Sequence, residues 1–148
     1  MEEKYKTLAA YLESAIGIVQ HMGLKVISMK DRYVKLLMPL QENVNHLGSM
    51  YAGSLFTLGE IMGGAIFVAS FDIGKYYPLV KEVQIRYRKS ALTDITVAAA
   101  LSEDRIEQIL KAIEEKGKAD FNLDLELLDV NGEVVSLMQG TWQGRKIK

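Results

Sequence analysis

Apolar and polar positions change period several times along this chain, and each change marks an element. Over the first twenty residues Tyr5, Leu8, Leu12, Ala15 or Ile16, and Val19 recur at helical spacing. Glu2 and Glu3 favour the helix start and Gly23 supplies a stop, so the pattern predicts one helix over about 2–21. Residues 24–29 and 33–38 read as strands of a hairpin around Lys30-Asp31-Arg32, and Pro39 stops the second. A long apolar stretch with one charge then predicts a helix over about 51–71. Beyond Pro78 the period falls to two: Val83, Ile85 and Tyr87 alternate with Glu82, Gln84, Arg86 and Arg88 in a strand over 79–89. A strand over 94–101 follows, then a short helix capped by Ser102, with Ile106, Ile109 or Leu110, and Ile113 as its apolar stripe and Gly117 as its end. Ala119, Phe121, Leu123, Leu125 and Leu127 alternate with polar residues in the next strand. Asn131-Gly132 reads as a two-residue hairpin turn before a return strand over 133–142.

Strands that alternate in this way belong to an antiparallel sheet with one wet face. The dry face needs cover, and the helix over 51–71, apolar nearly all round, needs enclosure. The fold class that satisfies both is α+β, an antiparallel sheet wrapped around a long central helix, in one domain over 1–148.

Composition narrows the function. The chain has 148 residues, 49% of them hydrophobic and 25% charged, as in a soluble globular protein. A net charge of −1 gives no electrostatic basis for binding nucleic acid. The absence of cysteine excludes disulfides, thiolate metal sites and a cysteine nucleophile. His21 and His46 are the only histidines and show no metal-ligand spacing, so no metal is expected. The start Met-Glu-Glu-Lys lacks a basic-then-apolar signal pattern, and a cytoplasmic location is expected. Residues 51–71 are long enough to span a membrane. However, Glu60 lies mid-run, Gly53, Gly59, Gly63 and Gly64 dilute the hydrophobicity, and the strands downstream favour a helix enclosed in a soluble core.

Glu60 is the single charge of that helix. Burying a carboxylate is costly unless it is paired, hydrogen-bonded or protonated, which makes it a candidate for chemistry as well as for a structural pairing. The loop before it, Asn45-His46-Leu47-Gly48, followed by Tyr51-Ala52-Gly53, brings a glycine-punctuated turn to the helix N-terminus. There, free N–H groups and the helix dipole can stabilise a developing oxyanion. Gly53 permits close approach of a ligand. Within one helix Ala52 and Glu60 are about 12 Å apart at 1.5 Å per residue, too far for one small reacting group to touch both. If both act, a second copy of the chain supplies the other half.

The Asn45-x-x-Gly48 segment, the Tyr51-Ala52-Gly53 turn, Glu60, and Tyr87-Arg88-Lys89-Ser90-Ala91-Leu92-Thr93-Asp94 resemble the hotdog-fold acyl-CoA thioesterases. The branch most similar is the phenylacetyl-CoA thioesterase-like one, with its relatives of uncharacterised substrate. That branch carries an Asn-x-x-Gly segment, a His-Gly-Gly turn and an Asp or Glu on the central helix. Here Tyr51 stands at the histidine and Ala52 at a glycine; alanine keeps the N–H, whereas Tyr51 changes the pocket's shape.

The resemblance implies hydrolysis of an acyl-CoA or acyl-carrier thioester by a homodimer or dimer of dimers, with the oxyanion turn from one subunit and the acid from its partner. In that reading Glu60 is base or nucleophile, Asn45 orients the water or thioester, and the Ala52 and Gly53 amides hold the oxyanion. Tyr51 and His46 contact substrate, and Arg86, Arg88 and Lys89 are candidates for the phosphates of coenzyme A, or else a solvated strand face. Coenzyme A enters only as part of the substrate, with no cofactor. Two alternatives stay open: a hydroxyacyl-thioester dehydratase using His46 with Glu60, and an acyl-CoA-binding protein without catalysis.

Overall fold

A computed structural model describes Met1–Lys148. Two short helices, α1 (Glu3–Ser14) and α2 (Gly17–Met22), lead to the hairpin of β1 (Lys25–Lys30) and β2 (Tyr33–Met38). A 3-10 turn at Gln41–Asn43 and a loop deliver the chain to α3 (Ala52–Ser70). Then come β3 (Tyr76–Tyr87), β4 (Ile95–Ala100), α4 (Glu103–Lys116), β5 (Lys118–Leu128) and β6 (Val134–Lys146). The strands form one six-stranded sheet in the order β1-β2-β4-β5-β6-β3, with every neighbouring pair antiparallel.

The sheet curls around α3, which packs against β2, β3, β4, β5 and β6. Leu58, Met62, Ala65, Ile66 and Phe67 are completely buried there. Although α3 is long and apolar enough to cross a membrane, 61% of that stretch is buried inside the fold, the place of a core helix. Two of its glycines exist for this packing. A Cβ on Gly59 would overlap Met138, and one on Gly63 would overlap the Trp142 indole. Both partners lie on the inward face of β6. β4 and β5 are registered at Thr96 and Leu128, and α4 packs on the sheet by burying Ile109 and Ile113 against β5 and β6. Ser102 caps α4 by accepting the Arg105 N–H, and Gly117 ends it in the left-handed conformation, as its sequence predicts.

One side of the molecule stays open. β3, twelve residues long, is an edge strand. The less buried residues of α3, Gly53, Phe56, Thr57, Glu60, Gly64 and Val68, recur at the spacing of one helix face, whose Val68 end lies near α1.

Three local expectations give way. The single helix over 2–21 is two helices, because Ile16 leaves the helical region (φ −111°, ψ 116°). Ser14 folds its hydroxyl back on the Ala10 carbonyl just before the break, a competitor for helical bonding. The Asn131-Gly132 turn is the tip of a longer loop, Asp129–Glu133, rather than a two-residue turn. Only Gly132 has positive φ, whereas the two-residue turn needs it at both positions. Asp129 organises this loop by accepting the N–H groups of Asn131 and Glu133, which hold its carboxyl below the usual range. Finally, Pro78 lies inside β3 rather than before it. Having no N–H to donate, it is tolerated there because β3 is an edge.

Candidate active site

The segment before α3 is built to present a helix N-terminus. Asn43, buried, donates its amide to the Met22 and Pro39 carbonyls (2.8 and 2.7 Å) and accepts the Ser54 hydroxyl (2.8 Å). Its own carbonyl takes the Tyr51 N–H at 2.8 Å. This fully used side chain staples the approach loop to the first turn of α3. Asn45 folds the loop itself: its Oδ1 accepts the N–H groups of Leu47 and Ser49, and its Nδ2 donates to the Ser49 hydroxyl at 3.0 Å. One Nδ2 proton remains uncommitted.

At the turn, the N–H groups of Ser54 and Leu55 bond back to the Tyr51 carbonyl. The amides of Ala52 and Gly53, first in the helix, have no acceptor within the chain. They are the two donors that the sequence assigned to an oxyanion. The carbonyls of the same residues are held from behind. Tyr87 donates its hydroxyl to the Ala52 carbonyl at 2.9 Å, and Thr57 to the Gly53 carbonyl at 2.8 Å. Tyr51, 59% exposed, lays its ring beside Gly53, where a Cβ would collide with it. Burial and the neighbouring Tyr51 push the Tyr87 hydroxyl above its ordinary pKa, so it stays a donor.

A cavity of about 280 Å³ lies against this turn, bounded by Asn45, Ala52, Leu55, Tyr87, Arg88 and Lys89 among others. The structure therefore unites Asn45, Ala52, Arg88 and Lys89. The two cations differ: Lys89 is paired with Glu133 and, at 3.5 Å, with Asp129, whereas Arg88 has no carboxylate partner. Arg86 is apart from them, on the outer sheet face with Gln84, Leu137 and Gln139. His46 is exposed on the loop, and its ring makes no hydrogen bond.

Glu60 does not line this cavity. It is half-buried on the open face of α3, two turns along the helix from Ala52. Burial raises its carboxyl above the ordinary carboxylate pKa, and the neighbouring Trp142 indole pulls it partly back. A raised carboxyl on an open face suits a general base. Sequence reasoning passed over Asn43, the grip of Tyr87 on Ala52, and Trp142. The single tryptophan of the chain, on the inward parity of its strand, was the available signal for the last.

A sheet wrapped around a helix, with free amides at the helix start and an acid along it, defines a protein of the hotdog-fold thioesterase superfamily. It superposes on a Pseudomonas aeruginosa protein, PA5026, described as of "Unknown Function" and a "Probable Thioesterase". That protein is 43% identical, with a TM-score of 0.92 over 97% of this chain and 96% of the other. The chain belongs to the YiiD_C family, described as "Putative thioesterase (yiiD_Cterm)", which it matches over residues 5–145. A "putative thioesterase" of Shewanella oneidensis (TM-score 0.82, 20% identity, covering 97% of this chain and 98% of that one) shares the fold. So does a thioesterase of Haemophilus influenzae, HI1161 (TM-score 0.74, 11% identity, 95% and 90% covered). No curated protein matches the chain.

Proposed function

We propose that the protein hydrolyses an acyl-CoA or acyl-carrier thioester at a site shared by two copies of the chain. The observation that carries this reading is the arrangement of α3. Its two unpaired amides and its only carboxylate lie on one helix, separated by about 12 Å at 1.5 Å per residue, and Glu60 is half-buried with no ionic partner while β3 leaves a free sheet edge. A long edge with exposed Tyr77, Leu79, Val80 and Tyr87 is a surface that proteins ordinarily cover. A two-fold copy placed along it sets the helices antiparallel, so that the acid of one meets the amides of the other.

In such a site the thioester carbonyl oxygen accepts the Ala52 and Gly53 N–H groups, which stabilise the charge built up on attack. Glu60 takes a proton from water, which adds to the carbonyl; the C–S bond then breaks to give a carboxylic acid and a thiol. The alternative route is direct attack by Glu60, which breaks the C–S bond, releases the thiol and gives an anhydride that water cleaves to the acid and free Glu60. Arg88, free of an ion pair at the cavity edge, is the residue for an anionic group of the thiol carrier. His46, remote from hydrogen-bonded partners on an exposed loop, lends the dehydratase reading no support.

Complementation tests the shared site. Ala52→Pro removes one oxyanion donor at a helix position where proline is tolerated, and Tyr51 before it is already extended (φ −57°, ψ 137°). Glu60→Gln removes the acid. Each variant is expected to lack thioesterase activity alone. Mixed and reassociated, they should recover about a quarter of wild-type activity, since half the dimers carry one intact site of two. No recovery among confirmed mixed dimers would overturn the shared site.

A further inference from the structure

The two free amides of α3 form a window with closed edges. Of the backbone N–H groups from Tyr51 to Leu55, that of Tyr51 bonds to the Asn43 carbonyl at 2.8 Å, and those of Ser54 and Leu55 bond to the Tyr51 carbonyl at 3.0 and 3.2 Å. Ala52 and Gly53 stand between them with no acceptor in the chain. Both edges of this window end on one residue. On the near side the Asn43 carbonyl holds the Tyr51 N–H, and on the far side the Asn43 Oδ1 accepts the Ser54 hydroxyl at 2.8 Å.

Asn43 is itself immobilised. Its Nδ2 donates to the Met22 carbonyl at the end of α2 and to the Pro39 carbonyl just past β2. Both donors and the oxygen of the side-chain amide are thus in use, and turning the amide over would set like groups against one another. Asn43 and Ser54 are 5% and 3% exposed, so water does not replace a lost partner cheaply. Neither residue borders the cavity at Ala52. An apolar side chain would fill the same space, but it would not fix the orientation of the turn.

We propose that Asn43 is a positioning residue, acting through the Ser54 hydroxyl and the Tyr51 N–H to aim the Ala52 and Gly53 amides at the thioester oxygen. This rests on the reading of those amides as the oxyanion donors. Such donors act only when fixed in advance where charge develops, and a displacement of about 1 Å can cost a hundredfold in rate. The carbonyls that anchor Asn43 lie at the ends of α2 and β2, so the network ties the turn to regular elements rather than to the approach loop alone.

Ser54→Ala deletes one hydroxyl and leaves the bonds of Asn43 to Met22, Pro39 and Tyr51. With the acyl-CoA that the wild type turns over fastest, at a temperature where both proteins are folded, the variant should lower kcat about tenfold and leave KM nearly unchanged. Asn43→Ala should lose at least as much, and the double variant no more than Asn43→Ala, because the hydroxyl has then already lost its acceptor. Backbone ¹⁵N relaxation gives a readout independent of turnover. In the wild type the Ala52 and Gly53 amides should be as rigid as the middle of α3, with order parameters of about 0.85, and in Ser54→Ala they should fall toward about 0.6. Amides as rigid in Ser54→Ala as in the wild type would overturn the proposal, and so would an unchanged kcat or a loss confined to KM. Ser54→Ala decides the matter even where Asn43→Ala does not fold. Absence of hydrolysis by the wild type would instead count against the functional reading, and the order parameters would still decide whether Asn43 holds the two amides.

Discussion

The two faces of α3 obey different rules. On the face against the sheet, small residues are answered by large ones within the chain. Gly59 receives Met138, Gly63 receives Trp142, and on β6 Gly144 makes room for Phe67, whose ring lies 2.7 Å from where a Cβ would stand. On the less buried face, Gly64 has nothing within 4 Å of an added Cβ, Phe56 is 37% exposed, and Glu60 is half-buried without an ionic partner. Glycine in a helix interior costs about 1 kcal/mol relative to alanine. At Gly63 packing accounts for that cost. At Gly64 nothing inside the chain does, and the proposed second copy and substrate are what would meet it.

The sharpest way to break this contrast is to substitute both glycines. Gly63→Ala should destabilise the fold by about 2–3 kcal/mol through overpacking, whereas Gly64→Ala should leave stability unchanged or raise it by up to about 1 kcal/mol. Urea denaturation checks both, and equal losses would erase the distinction. Next in size is the contrast of cations at the cavity. Arg88→Ala should raise KM for an acyl-CoA about tenfold, near 1.4 kcal/mol, and Lys89→Ala should change it less because Lys89 is already paired with Asp129 and Glu133. Steady-state kinetics on the two variants decides. Tyr87→Phe, which frees the Ala52 carbonyl, should cost about 1 kcal/mol of stability and slow turnover more than it weakens binding. The smallest effect concerns pH. Burial raises the folded-state pKa of Glu60, so its contribution is most favourable when protonated and declines as pH rises through that value. Glu60→Gln should therefore be more stable than wild type at neutral pH, with the gap closing on acidification. Thermal melts across pH would show a gap of the opposite slope if Glu60 were instead held by a hidden cation.

The elements were readable wherever a period repeated several times. α3, the β1–β2 hairpin, and the alternation of β5 follow from spacing alone. The break at Ile16 was not, because Leu12, Ile16 and Val19 keep helical spacing straight through it. Within the site, local features were readable and distant ones were not. The loop of Asn45 and the free amides of Ala52 and Gly53 arise from neighbouring residues. The contacts of Tyr87 with Ala52 and of Asn43 with Met22 join segments 35 and 21 residues apart. Arg86 and Arg88 share a parity in the sequence, yet only Arg88 reaches the cavity. The strand ends at Tyr87, and the Arg88 N–H turns to the Val135 carbonyl.

The most direct test of the account measures thiol release from short, long and aromatic acyl-CoAs by wild type and Glu60→Gln at matched folding. The wild type is expected to turn over at least one of them, with activity falling by about a thousandfold or more in Glu60→Gln. A folded protein that turns over none of them, or a Glu60→Gln variant as active as wild type, would contradict it.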